Sequence, residues 1–236
     1  MRKIIAWLIA LCLALSPVHA EALLPLLSGG ISGAVLTYQT FATEGSGGSN
    51  ITYSSLSFGA AASNRVMVVV IGARLTGSNN SVSSVTIGGV SATEAPSSLS
   101  QAAQVLTDIW YASVPSGATG NVNIVFAGAT VATAVQIYSV NTSTPAPTSS
   151  SAGVSGVLTS ISTTITVPTN GVGVVGFTDQ GPSSPALTNA TLDNNGAMTG
   201  GRALLSGHTT STGSVSPGGT NASGTSLSLS AAAWGP

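Results

Sequence analysis

The stretch Arg65-Val66-Met67-Val68-Val69-Val70-Ile71-Gly72-Ala73-Arg74 decides the fold class. Its apolar run is β-branched, lacks a helical period and is far shorter than the roughly 20 apolar residues a membrane helix needs. Both of its faces are apolar, so it reads as a central strand covered on two sides, with an arginine capping each end. Just beyond it, Ser84-Val85-Thr86-Ile87-Gly88-Gly89-Val90-Ser91-Ala92-Thr93 sets two glycines between alternating runs, the pattern of a tight hairpin.

The same grammar continues to the end of the chain. Residues 104–114 and 121–127 read as strands joined by Pro115-Ser116-Gly117-Ala118-Thr119-Gly120, and 132–140 as the next strand. The Ser/Thr/Pro stretch 141–151 reads as a long crossover. Residues 161–167 and 171–178 flank the turn Pro168-Thr169-Asn170-Gly171, and Asp193-Asn194-Asn195-Gly196 reads as a third turn after strand 186–192. Strands at 202–208 and 225–234 complete the series. Short strands at regular spacing predict an all-β fold: a two-sheet antiparallel sandwich of jelly-roll or immunoglobulin-like character, in one domain over residues 50–236.

Composition narrows the function. Only 5% of the 236 residues are charged, against an average of about 25%, while 43% are hydrophobic and the mean hydropathy is +0.45. Ser, Thr, Asn and Gly supply the polarity instead, which suits exposed strand faces and turns. Residues 1–20 have the layout of an export signal or anchor helix: Arg2 and Lys3, an apolar run over 4–15, then Val18 and Ala20 before a cut ahead of Glu21. Residues 21–49 form an apolar and Gly/Ser-rich N-terminal segment, and its part 21–35, more apolar than an unattached terminus, can cover the core, dock on another subunit or lie against a membrane. Export implies a secreted, periplasmic or cell-surface location.

Beyond residue 20 the chain has neither lysine nor cysteine, so disulfides and lysine-based isopeptide links are excluded there. Arg65, Arg74 and Arg202 stand against Glu21, Glu44, Glu94, Asp108, Asp179 and Asp193, and this mildly acidic balance offers no basic patch for nucleic acid. No cofactor is implied.

Catalytic constellations are equally sparse. No Gly-x-Ser-x-Gly elbow occurs, and His208 is the one histidine past the leader, in a Gly/Thr-rich stretch that suits an edge strand. Asp108 and Asp179 are the only pair worth weighing as glycosidase-type carboxylates, which need a separation of about 5 to 10 Å across one cleft; strand-end capping and solvation explain them as well. Calcium takes about six to eight oxygens, and only Asp193 with Asn194 and Asn195 resembles a cluster, so no metal site is expected.

Aromatic residues leave one binding option. Trp110, Tyr111 and Tyr53, with Trp234, are candidates for a sugar-stacking platform. Trp110 and Tyr111 are neighbours in a strand and must face opposite ways. Trp110 is expected in the core and Tyr111 outward, which makes Tyr111 the leading, weak ligand-binding candidate.

The Ser84–Thr93 hairpin, the stretch Ile109-Trp110-Tyr111-Ala112-Ser113-Val114-Pro115-Ser116-Gly117 and the final Ala231-Ala232-Ala233-Trp234-Gly235-Pro236 together resemble β-sandwich domains of bacteriophage virion and prophage-encoded structural proteins. The resemblance covers roughly residues 50–236. It implies a capsid-surface, fibre or tail-associated role with no catalytic residue to carry over. An export signal departs from that pattern. The expectation is a non-enzymatic structural or adhesive surface protein that forms a homo-oligomer or binds other virion or surface proteins, with membrane contact only through its N-terminal segment. The alternative is a secreted carbohydrate-binding module.

Overall fold

The computed structural model describes residues 33–77, 80–102, 104–181 and 184–236. The expected leader and residues 21–32 lie outside them. All regular structure among the described residues is antiparallel strand, with no helix and therefore none long enough to cross a membrane.

The first half of the sequence holds β1 (Val35–Glu44), β2 (Gly48–Ser57), β3 (Arg65–Leu75), β4 (Val82–Ile87), β5 (Val90–Ser91), β6 (Thr93–Glu94), β7 (Ser100–Ala102), β8 (Val105–Ser113) and β9 (Thr119–Asn141). They form a single nine-stranded sheet. The second half holds β10 (Ser149–Ala152), β11 (Gly156–Ser162), β12 (Ile165–Val167), β13 (Val172–Asp179), β14 (Ala186–Thr188), β15 (Thr191–Met198), β16 (Arg202–Thr209), β17 (Gly213–Val215) and β18 (Gly218–Trp234). These form a seven-stranded sheet and a separate β12–β17 ladder.

The halves repeat one topology. In the first, β9 is a spine: β1 and β2 follow one another along one side, from Val35 opposite Asn141 to Ser57 opposite Thr119. On its other side run β3 and β4, from Arg65 opposite Asn141 to Ile87 opposite Val122, and β8 adds to β3. In the second, β18 carries β10 and β11 on one side and β13 and β14 on the other, and β16 adds to β13. A trace survives in the sequence, where Ser63-Asn64-Arg65-Val66-Met67-Val68-Val69-Val70 lines up with Thr169-Asn170-Gly171-Val172-Gly173-Val174-Val175-Gly176.

Among the described residues three apolar cores follow from strand alternation. On β3, Met67, Val69 and Ile71 face the first half's own core, while Val66, Val68 and Val70 face the seam between the halves. On β13, Val172 and Val174 face the seam, and Val175 and Phe177 face the second half's own core. Such fully buried side chains stabilise the fold by about 1.5–3 kcal/mol each. For β9 to place both Ile124 and Ile137 in the first core, the sheet must fold over itself. Asn80 pins that bend: its Nδ2 donates to Gly128 O at 2.8 Å and its Oδ1 accepts from Gly128 N at 2.7 Å.

Arg65 does not cap a strand end at the surface. It is 1% exposed, and its guanidinium donates to the carbonyls of Val114, Phe58, Gly59, Ala60, Ser116 and Gly117 at 2.7–3.2 Å. These segments occupy the places that β12 and β17 hold in the second half, where a strand ladder joins them instead.

Several expectations need correction. The sheet begins at Val35 rather than residue 50, because β1 has the flank of β9 to pair with. Residues 121–127 and 132–140 are parts of one bent strand. Pro168–Gly171 is a turn, with Gly171 N donating to Pro168 O at 2.9 Å, but β12 and β13 enter different ladders and form no hairpin. Asp193–Gly196 is no turn at all: those residues lie within β15, which has a register shift between Leu192 and Asn194. The chain reverses later, at Gly200 and Gly201, whose φ values of +82° and +73° suit glycine.

Candidate functional site

The aromatic candidates are built into the cores. Trp110 packs in the first core and its Nε1 donates to Asp108 Oδ2 at 2.7 Å. Tyr111 does point the opposite way, but into the seam, edge-on to Trp234 with ring centroids 6.3 Å apart. Tyr53 is buried, with its hydroxyl 2.6 Å from Thr133 Oγ1, and burial pushes its pKa up. Strand β8 lies in a sheet with a core on each face, so Trp110 is buried and Tyr111 half-buried, and with Tyr53 buried the three rings do not lie together on one exposed face.

The two aspartates serve separate surroundings. Asp108 is 1% exposed and accepts from Ser98 Oγ at 2.7 Å, Ile109 N at 2.8 Å and Trp110 Nε1. Burial raises its pKa to about 7, with a smaller contribution from the charge of Glu94. Asp179 accepts from Thr225 Oγ1 at 2.6 Å, Gly181 N at 3.0 Å and Asn221 Nδ2. Among the described residues their hydrogen-bond partners do not overlap. Among the described residues no three metal-binding side chains converge.

A different pair comes together instead. The bulge in β15 turns Asp193 toward its neighbour strand, where His208 Nδ1 lies 2.8 and 2.9 Å from the two carboxylate oxygens. Tyr138, from β9 of the other half, donates to Asp193 Oδ2 at 3.0 Å and touches Ser206 Oγ at 2.5 Å. Ser206 reaches Gln136 Oε1, and Gln136 Nε2 donates to Leu204 O at 2.5 Å. Burial first, then the Asp193 charge, raises the Tyr138 pKa. This polar chain crosses the seam and ties the two halves together.

On its outer side, His208 lines an open cleft with Asn189, Thr191, Thr210, Ser214 and Ser216. A carboxylate that fixes one imidazole nitrogen is half of a nucleophilic site, because it orients the other nitrogen as a base. The other half is missing: among the described residues no hydroxyl hydrogen-bonds His208, and Ser206 is directed to Tyr138 and Gln136. Chemically the arrangement is an oriented imidazole on a Ser/Thr-rich cleft. The sequence reading missed it by assigning Asp193 to a turn. The available signal was the alternation Leu204, Ser206, His208 along one face of β16.

Comparison with known proteins gives no match among protein-family models, curated proteins or solved structures.

Proposed function

We propose that the protein is an exported, non-enzymatic structural or adhesive surface component that associates with further copies of itself through the free edge of β11. Its place is the cell surface or, following the resemblance to virion β-sandwich domains, the surface of a virus particle. On this reading each half is a sandwich of jelly-roll or immunoglobulin-like kind, and the two are stacked through the seam.

One observation carries the reading. Strand β11 pairs with β18 on one side only, and its other edge is unpaired among the described residues. Natural proteins blunt such edges with lysine, proline or other charged side chains. Here Gly153-Val154-Ser155-Gly156-Val157-Leu158-Thr159-Ser160-Ile161-Ser162 has none of these, and Val154 and Val157 are 87% and 71% exposed. An uncharged, partly apolar strand edge is a template for adding a strand.

Sedimentation velocity of the full chain over a concentration series tests this. Reversible association is expected, and Val157→Lys shifts it toward monomer by placing a charge on the edge. A strict monomer at high concentration, or association unaffected by Val157→Lys, defeats the edge reading.

A further inference from the structure

Two of the three arginines beyond the leader meet at one end of the seam. Arg74 comes from the end of β3 and Arg202 from the start of β16, so each half contributes one. A Cβ placed on Gly200 would lie 2.7 Å from Arg202 Nη1 and 3.8 Å from Arg74 Nη1, so both guanidinium groups approach the same turn. The neighbouring positive charge helps to lower the Arg202 pKa, after burial.

What surrounds the pair is unusual. Arg65 spends its donors on six carbonyls, whereas the Nε atoms of Arg74 and Arg202 are buried with no hydrogen-bond partner. Arg202 Nη1 donates to Gly200 O, but among the described residues no carboxylate comes within 4.0 Å of either guanidinium. Both side chains remain partly exposed, and the turn beside them is glycine, with open space around the position of a Cβ on Gly201. Two like charges held together, each with an unused Nε–H donor, are the inverse image of an anion with several oxygens.

We propose that Arg74 and Arg202 form an oxyanion-binding site whose ligand is a sulfate-type group, either the free ion or the same group carried on an acidic glycan. Each guanidinium presents its fork to a different oxygen, and the bound anion cancels the repulsion between the two cations. The site is independent of the β11 edge, so it stands or falls apart from self-association.

The test uses the full chain in chloride at constant ionic strength, with inorganic sulfate as the probe and the arginine Nε–Hε resonances as the readout. Saturable shifts at Arg74 and Arg202, with Arg65 unmoved, are expected. Arg202→Gln and Arg74→Gln each weaken sulfate binding by about tenfold or more, because a charge-assisted fork is lost. Sulfate also raises the thermal midpoint of the unaltered chain by more than that of Arg202→Gln, which keeps only the general stabilisation by an excluded salt and the residual weak binding. A sulfated oligosaccharide that binds more tightly than sulfate, at equal sulfate concentration, assigns the glycan as the source; equal binding assigns the free ion. Shifts that never saturate, or equal affinity in the variants, overturn the site. If a variant does not fold, the resonances of the unaltered chain decide alone.

Discussion

Val70 and Gly176 meet face to face across the seam, so closely that a Cβ on Gly176 would stand 2.3 Å from Val70 Cγ1. One half supplies a branched side chain and the other supplies the room for it. Gly176→Ala must therefore push β3 away from β13, and a cost of about 1–3 kcal/mol is expected in urea denaturation. Val70→Ala vacates the space. In the double variant the two effects are non-additive, with a coupling of about 1 kcal/mol or more; simple additivity would show that the halves do not press together there.

Arg65 replaces in the first half the ladder that β12 and β17 make in the second. Its five N–H groups serve six carbonyls from two segments. Arg65→Met leaves those carbonyls without their donor and is expected to destabilise by about 3 kcal/mol or more. Arg65→Lys rescues only part of that, since an ammonium has three donors and no fork. A lysine variant as stable as the unaltered chain in thermal denaturation would reduce the clamp to a matter of charge.

These two contacts mark where the sequence was readable and where it was not. The run Arg65–Arg74 declared a strand with both faces buried, and β3 is one, because periodicity along a strand is a local property. The Gly88-Gly89 hairpin was legible for the same reason. The spine roles of β9 and β18, and hence the repeat, depend on pairings between residues distant in the chain, from Thr188 with Gly218 to Val35 with Asn141, which no local pattern encodes. Arg65 looked like a surface cap because an arginine's solvation by distant carbonyls leaves no mark in its neighbourhood. Asp193 was misread because Asp-Asn-Asn-Gly is turn chemistry, and here strand pairing with β16 overrode it. The place of Tyr111 was misjudged for a different reason: strand alternation correctly opposed it to Trp110, but alternation does not say that the second face also packs against a core.

Asp108 makes stability depend on pH in a definite direction. Its carboxyl titrates near 3.8 when unfolded and at about 7 when folded, raised mainly by burial. Below the unfolded value both states are protonated and nothing is lost. Between those two values the unfolded chain releases the proton while the folded one holds it, so stability falls as pH rises, and it levels off above about 7. The total fall attributable to this group is of the order of a few kcal/mol. Asp108→Asn removes the slope in that window, although it sacrifices the hydrogen bond from Trp110, so it is less stable at low pH. Denaturation midpoints measured from pH 4 to pH 8 check this, and an undiminished slope in the variant would assign the effect to another group.

The Asp193–His208 pair can be sorted by which partner matters more. His208 is partly exposed, so the exposed side of the pair contributes little, on the order of 1 kcal/mol or less. Asp193 also accepts from the buried Tyr138 hydroxyl, and that link spans the two halves. If the carboxylate works mainly as a lock on the seam, Asp193→Ala costs about 1–3 kcal/mol because it removes the charged acceptor of Tyr138 and leaves that hydroxyl only Ser206, while His208→Gln costs less. Tyr138→Phe should then resemble Asp193→Ala, and combining the two should add little, because each already breaks the same link. Chemical denaturation of the four proteins gives the ranking. A larger loss from His208→Gln than from Asp193→Ala would mean that the carboxylate exists to hold the imidazole in place, as it would for a base serving the Ser/Thr-rich cleft.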